Sequence, residues 1–417
     1  MRTSSIRRSR ARVTASAALG MLLVGIASVP AHADSIRAKQ WHLDAMGAEE
    51  IWQLSTGKGV TVAVLDTGVN KDNPDLRGQV LKGKDLAADQ ESGDEYTDYT
   101  GHGTSMAGLI AGSGRRDGGN GAFGLAPGAK ILPIRVPGAR GGETNQAQAD
   151  KDFNKVMPEA IRYAADAGAK VINISKGAQA GSQQLTDAVK YALDKGALVF
   201  AAVGNTGDKS NDLEYPAATP GVVGVGAVDK KLTRVPTSQY GPQVDVVAPG
   251  KDVVHACNGA TGVCESSGTS DATALASAAA ALLWAKHPDW TNNQVLKVML
   301  NTIAAPTEGG KRSDYIGYGA IRPLRTLKTP GDPGPADVRP IDDLKAVATE
   351  APATEAPGTA SGAPTPADGK TGAPAPAPQA ATTDDGGNTA LWIGLGIGAA
   401  VLIAGAVAVS VLRSRRS

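Results

Sequence analysis

Short runs of aliphatic and β-branched residues alternate along the middle of the chain with Ala-rich stretches in which apolar side chains recur at helical spacing. The runs at residues 60–65, 130–136, 170–174, 197–203, 222–228 and 244–247 read as strands. Residues 102–112, 156–167, 184–195 and 270–287 read as helices, the last stopped by Pro288, which lacks the N–H that would continue it. This alternation predicts an α/β fold of three layers, with a mostly parallel central sheet flanked by helices. The stretch Ala274-Leu-Ala-Ser-Ala-Ala-Ala-Ala-Leu-Leu283 is apolar nearly all round, which assigns its helix to the middle of the domain.

Two further apolar stretches lie outside that pattern. Residues 1–33 carry five arginines, then an apolar run, then Ala31-His-Ala33, the layout of a signal peptide that leaves Asp34 as the first mature residue. Residues 390–412 hold no charge and would span about 30 Å as a helix, enough for the hydrocarbon core of a membrane. Arg413, Arg415 and Arg416 follow, so residues 413–417 are expected on the cytoplasmic side and everything between the two apolar stretches outside. Residues 329–389 hold eleven prolines and hardly a large apolar side chain, and read as an extended spacer with a reach on the order of 100 Å. The folded domain is therefore expected at 34–328, including an N-terminal extension.

Charge narrows the partners. Without the five leader and three tail arginines, the 42 basic residues fall to 34 against 41 acidic ones, so the exported part is mildly acidic and nucleic acid is not expected as a partner. Cys257 and Cys264 are the only cysteines, and an even pair in an exported protein predicts a disulfide, worth roughly 2.5 kcal/mol for so short a loop. Two free thiols or half a metal site are the alternatives, and the five histidines form no ligand-like cluster near the pair.

Three segments carry candidate chemistry. Asp66 ends the run Val60-Thr-Val-Ala-Val-Leu65, at the edge where open α/β sheets place functional groups, and a carboxylate there can hold an imidazole in one tautomer. His102 stands between Gly101 and Gly103 at the start of a small-residue helix, with an ordinary pKa suited to proton exchange near neutrality. Ser270 opens the buried Ala-rich helix, where free N–H groups favour nearby negative charge. Ser266, Ser267 and Thr269 compete with it as nucleophile, and an N-cap role would suit Ser270 equally well. Only the order Asp, His, Ser selects Ser270. Asn205 follows the run at 197–203 and Gly204, from where its amide can donate into such a site.

With these segments in place, the stretch from Gly57 to Pro323 resembles the subtilisin-family serine peptidases. Supporting matches are Gly124-Leu-Ala-Pro127, Val171-Ile-Asn-Ile-Ser175, Tyr215-Pro-Ala-Ala218 and Val244-Asp-Val-Val-Ala-Pro-Gly250. The resemblance implies a subtilisin-like fold, a triad of Asp66, His102 and Ser270, oxyanion support from Asn205, and a substrate-binding edge at Ser175, Lys176 and Gly177 that pairs with an extended polypeptide. It implies no cofactor. The early Gln40-Trp-His-Leu43, the late Gly317-Tyr-Gly-Ala-Ile-Arg-Pro323, the spacer and the C-terminal anchor resemble more narrowly the mycosins, membrane-anchored subtilases of type VII secretion systems, which implies secretion-system components as partners.

Two residues depart from the family pattern. Ser270 is followed by Asp271-Ala-Thr-Ala-Leu275 where the family has a sequence close to Met-Ala-Ala-Pro-His, which places a carboxylate beside the nucleophile. Lys176 replaces a small or apolar edge residue and suggests acidic or polar substrate groups. The acidic loop at residues 84–99 reads as a solvated loop, with calcium as the alternative reading. The expected function is a membrane-anchored serine endopeptidase, and the alternative is a structural part of a secretion complex in which proteolysis is slow or dispensable.

Overall fold

The computed structural model describes residues 35–137, 145–307 and 310–344. The expected leader at 1–33, the spacer beyond 344, the membrane segment at 390–412 and the tail at 413–417 lie outside them. Among the described residues, no helix is long and apolar enough to cross a membrane.

Seven strands make one sheet: β1 (Thr61–Asp66), β2 (Lys84–Asp85), β3 (Lys130–Arg135), β4 (Val171–Ile174), β5 (Leu198–Ala202), β6 (Val223–Val228) and β7 (Val246–Pro249). Their spatial order is β2-β3-β1-β4-β5-β6-β7 and every pairing is parallel. The six longer strands match the expected runs; β2 escapes notice because two residues carry no periodicity. Alternate strand residues serve opposite layers. Val62 and Val64 join the core shared with the helices α4 (His102–Ala111) and α7 (Thr269–Lys286), while Ala63 and Leu65 join the core under α5 (Gln146–Asp166) and α6 (Gln183–Asp194). Helix α7 is buried almost throughout, as its all-round apolar sequence requires.

Helix α5 begins at Gln146, well before the expected start at residue 156. Its first turns are mostly polar and exposed, so no apolar stripe announces them, and Asn145 caps them by accepting from the Gln148 N–H. An antiparallel hairpin, β8 (Val253–Ala256) with β9 (Val263–Ser266), lies apart from the main sheet, and the disulfide Cys257–Cys264 closes it, with Cα atoms 5.8 Å apart.

Both ends of the described chain fasten to this framework. In the N-terminal extension, the helices α1 (Ile36–Lys39), α2 (Trp41–Met46) and α3 (Ala48–Leu54) are anchored by Gln40, which donates to the carbonyls of Phe123 and Val254 at 2.7 and 3.0 Å. Residues 329–344, which composition assigns to the spacer, follow α9 (Pro323–Lys328) and stay on the domain. Asn301 donates to the Asp332 carbonyl at 2.8 Å, Gln294 to Gly334 at 3.0 Å, and Asp343 accepts from the Gly221 N–H at 2.8 Å. The compositional boundary falls too early because proline-rich backbone is held here by side chains of α8 (Asn292–Asn301) and its neighbours.

Candidate active site

A parallel sheet puts all its C-terminal strand ends on one edge, and the candidate residues gather there at the ends of three neighbours, β1, β4 and β5. Asp66 is the last residue of β1 and wholly buried. His102 is the first residue of α4, and its Nδ1 lies 2.8 and 2.9 Å from the two Asp66 carboxylate oxygens. Burial raises the Asp66 carboxyl, but the charge and hydrogen bond of His102 outweigh it and hold the pKa below its usual value. The Asp66 charge raises His102 above its usual value despite partial desolvation.

This close approach depends on two local devices. Gly103 faces the Gly68 carbonyl, and a methyl group there would also come within 3.1 Å of Asp66 Cβ. Asp98 gathers the first turn of α4: its carboxylate accepts from the N–H groups of Gly101 and Thr104, each at 2.8 Å, and from the hydroxyls of Thr67 and Thr104 at 2.8 and 2.7 Å. The acidic loop is therefore more than a solvated surface. Its Asp85 and Glu91 also pair with the fully buried Arg135, at 3.3 and 3.1 Å. Among the described residues, no group of three or more His, Cys, Asp or Glu side chains is arranged to hold a metal ion.

Ser270 is the second residue of α7, on the far side of the same edge. Its Oγ donates over 3.5 Å to the Ser175 carbonyl and makes no hydrogen bond to His102 among the described residues; without substrate, such bonds are commonly long or unformed. A buried chain ties this end of α7 to β4: Ser277 donates to Asn173 at 3.0 Å, Asn173 to Ser175 Oγ at 3.2 Å, and Ser175 to the Ser270 carbonyl at 3.4 Å. Asn173, Asp98 and Thr67 carry no chemistry of their own and so left no functional signal in the sequence.

Asn205 meets the same helix end. Its Oδ1 accepts from the Thr269 N–H at 3.0 Å, which turns its Nδ2 donors away from the helix and leaves them without a partner among the described residues. The Ser270 N–H is also free, as expected for the first turn of a helix. Across the cleft, the peptide groups of Lys176 and Gly177 make no hydrogen bond among the described residues, so this edge is open to a further strand. Asp271 points inward: it is buried, accepts from Ser266 Oγ at 2.7 Å, and burial pushes its pKa up to about 6.

The profile of the subtilase family matches residues 57–319. The chain belongs to the subtilase family. The subtilase domain is 37% identical over 271 residues to the thermophilic serine proteinase of Bacillus sp. (strain AK1), covering 65% of this chain and 62% of that protein, so the chain spans less than two thirds of that relative. It is 36% identical over 247 residues to subtilisin Savinase of Lederbergia lenta, covering 59% of this chain and 84% of that protein. Among solved structures it resembles MycP1 from Mycobacterium smegmatis with a TM-score of 0.61 and 28% identity, covering 72% of this chain and 86% of that one. It also resembles the MycP3 protease from the type VII (ESX-3) secretion system with a TM-score of 0.60 and 32% identity, covering 69% of this chain and 87% of that one. Residues 57–319 are thus a subtilisin-like serine endopeptidase domain, and the architecture has the expected parallel sheet between helical layers.

Proposed function

We propose that this protein is an exported, membrane-tethered serine endopeptidase that works through Ser270, His102 and Asp66 at a type VII secretion system. The observation that carries the reading is the buried Asp66 carboxylate gripping His102 Nδ1 through both oxygens. It leaves Nε2 as the one ring nitrogen able to take a proton from Ser270. The likeness to MycP1 and MycP3 and the expected tether support the cellular setting.

A substrate polypeptide lies along Ser175, Lys176 and Gly177 as an added strand, with its scissile carbonyl over Ser270 Oγ. His102 takes the hydroxyl proton as Oγ attacks, and Asp66 steadies the imidazolium that forms without itself taking the proton. The oxyanion is met by Asn205 Nδ2 and the Ser270 N–H, both free to donate. His102 then gives its proton to the leaving amine, and water repeats the sequence on the acyl-enzyme. Removing an amide donor such as Asn205 costs on the order of 10²–10³ in turnover, the loss known for this position in subtilisin itself.

The direct test is labelling of the full chain with a fluorophosphonate probe. Wild type is expected to label, and Ser270→Ala to fold with an unchanged circular dichroism spectrum and remain unlabelled. Labelling that persists in the folded variant excludes Ser270 as the nucleophile.

A further inference from the structure

If the proposed catalytic reading holds, the substrate residue before the cleaved bond has one place for its side chain. Its backbone runs along Ser175, Lys176 and Gly177 and its carbonyl oxygen turns toward Asn205, so the side chain enters between the ends of β4 and β5. Gly177 follows β4 on one side of that gap and Gly204 follows β5 on the other. Glu214 reaches both. A methyl group added at Gly177 would lie 2.6 Å from Glu214 Oε2, and one added at Gly204 would lie 2.5 Å from Oε1.

The carboxylate is held in this position by its neighbours. Tyr215 N–H donates to the Ala178 carbonyl at 2.8 Å and the Ala178 N–H returns the bond at 2.9 Å, which locks residue 214 beside the substrate edge. Gln239 is fully buried, donates to Glu214 Oε1 at 2.8 Å and to Thr206 Oγ1 at 2.8 Å, and binds the Gly204 carbonyl through its N–H at 3.0 Å. Oε2 accepts no hydrogen bond, and no Lys or Arg pairs with Glu214, among the described residues. Its charged neighbour is another acid, Asp212. Burial raises the pKa of Glu214, as expected for a carboxylate short of partners. Lys176 makes no ion pair with Glu214 among the described residues, and its charge acts on Asp66 and His102.

We propose that Glu214 is a specificity-determining residue whose free carboxylate oxygen receives the cationic end of a Lys or Arg side chain immediately before the scissile bond. This deepens the proposed function by naming a substrate class, and it runs opposite to the acidic preference that Lys176 alone suggests. The carboxylate lies close against both glycines, where a cation carried by the substrate side chain would meet it. An acidic side chain would meet Glu214 and Asp212 with like charge.

The test uses the full chain and four peptidyl-aminomethylcoumarins that differ only in Lys, Arg, Leu or Glu before the cleaved bond. Wild type is expected to show kcat/KM for Lys and Arg about tenfold or more above Leu, with Glu lowest. Glu214→Gln keeps a partner for Gln239, and is expected to lose the Lys and Arg advantage over Leu. Because burial raises the Glu214 pKa, the advantage is expected to grow as that carboxyl ionises with rising pH. Lys176→Ala is expected to leave the Lys-to-Leu ratio unchanged. Leu or Glu at least as good as Lys in wild type, an unchanged ratio in Glu214→Gln, or cleavage of none of the four by a protein that labels with fluorophosphonate overturns the specificity assignment and leaves the peptidase reading standing. A wild-type protein that fails to label overturns both.

Discussion

Asp271 sets a buried carboxyl beside the proposed nucleophile in surroundings that favour its neutral form. Its carboxylate meets Ser266 Oγ, whose other neighbour is His255 Nε2 at 2.8 Å, while His255 Nδ1 faces the Ala256 carbonyl at 3.0 Å. A carbonyl only accepts, so a neutral His255 carries its proton on Nδ1 and its Nε2 accepts as well. Ser266 then has one proton for two acceptors, and a protonated Asp271 removes the conflict. Burial acts in the same direction, lowering His255 and raising Asp271 to about 6, and it leaves the adjacent His42 neutral with a pKa of about 3. Since the folded Asp271 holds its proton above the ordinary 3.8, folding weakens as pH rises from about 4 to 6 and carries the full cost above that. Asp271→Asn, whose amide can donate to Ser266, is expected to raise stability at pH 8 by up to about 3 kcal/mol, with the gain vanishing below about pH 4, as read by urea unfolding at each pH. The same change removes a negative charge that raises His102, so the acid limb of the kcat/KM profile is expected to move to lower pH. A limb that stays put or moves upward contradicts the contact. The sequence shows that Asp271 is unusual, but not that it turns inward, because the direction depends on a hairpin whose short strands left no pattern.

At the scale of elements, α4 is the part that must be built most accurately, since its first residue is His102. A helix whose N-cap is Gly101, with no side-chain cap of its own, would fray, and Asp98 supplies the missing bonds from outside the helix. Asp98→Ala is expected to cost about 2–3 kcal/mol in thermal or urea unfolding. It is also expected to lower kcat with little change in KM for a small peptide, because His102 loses its fixed approach to Asp66 rather than its contact with substrate. Loss of stability with kcat intact would reduce Asp98 to a purely structural cap. The strands and the buried helix α7 were legible because burial on both faces imposes continuous apolar runs. Helix α5 was legible only in its second half, where it packs on the sheet. Periodicity locates the strand and helix ends where Asp66, His102, Asn205 and Ser270 sit, while their proposed roles rest on the order Asp, His, Ser and on the family resemblance. Glu214 was not, because what brings it between Gly177 and Gly204 is the pairing of Ala178 with Tyr215, a contact between segments far apart in the chain.

For the whole molecule, the question is whether the catalytic domain needs the proposed tether. The described fold includes residues up to 344 and holds 329–344 by hydrogen bonds to α8 and to Gly221, so the domain is fastened well before the apolar segment at 390–412 begins. The proposed catalytic residues all lie between Asp66 and Ser270. A chain ending at residue 389 is therefore expected to appear in the culture medium rather than in the membrane fraction, and to keep kcat/KM on a small peptide within about twofold of the full chain. Retention of the shortened chain in the membrane fraction would show that another part of the protein binds there. A large loss of kcat/KM would show that the C-terminal segment supports the site itself. Export by the secretion system separates the remaining alternatives. If proteolysis is the protein's contribution, Ser270→Ala and deletion of the whole protein impair export alike. If the domain serves as a structural part, Ser270→Ala exports normally while the deletion does not, and the released chain ending at residue 389 fails to restore export despite an intact active site, because it lacks the proposed tether that would keep it beside its partners.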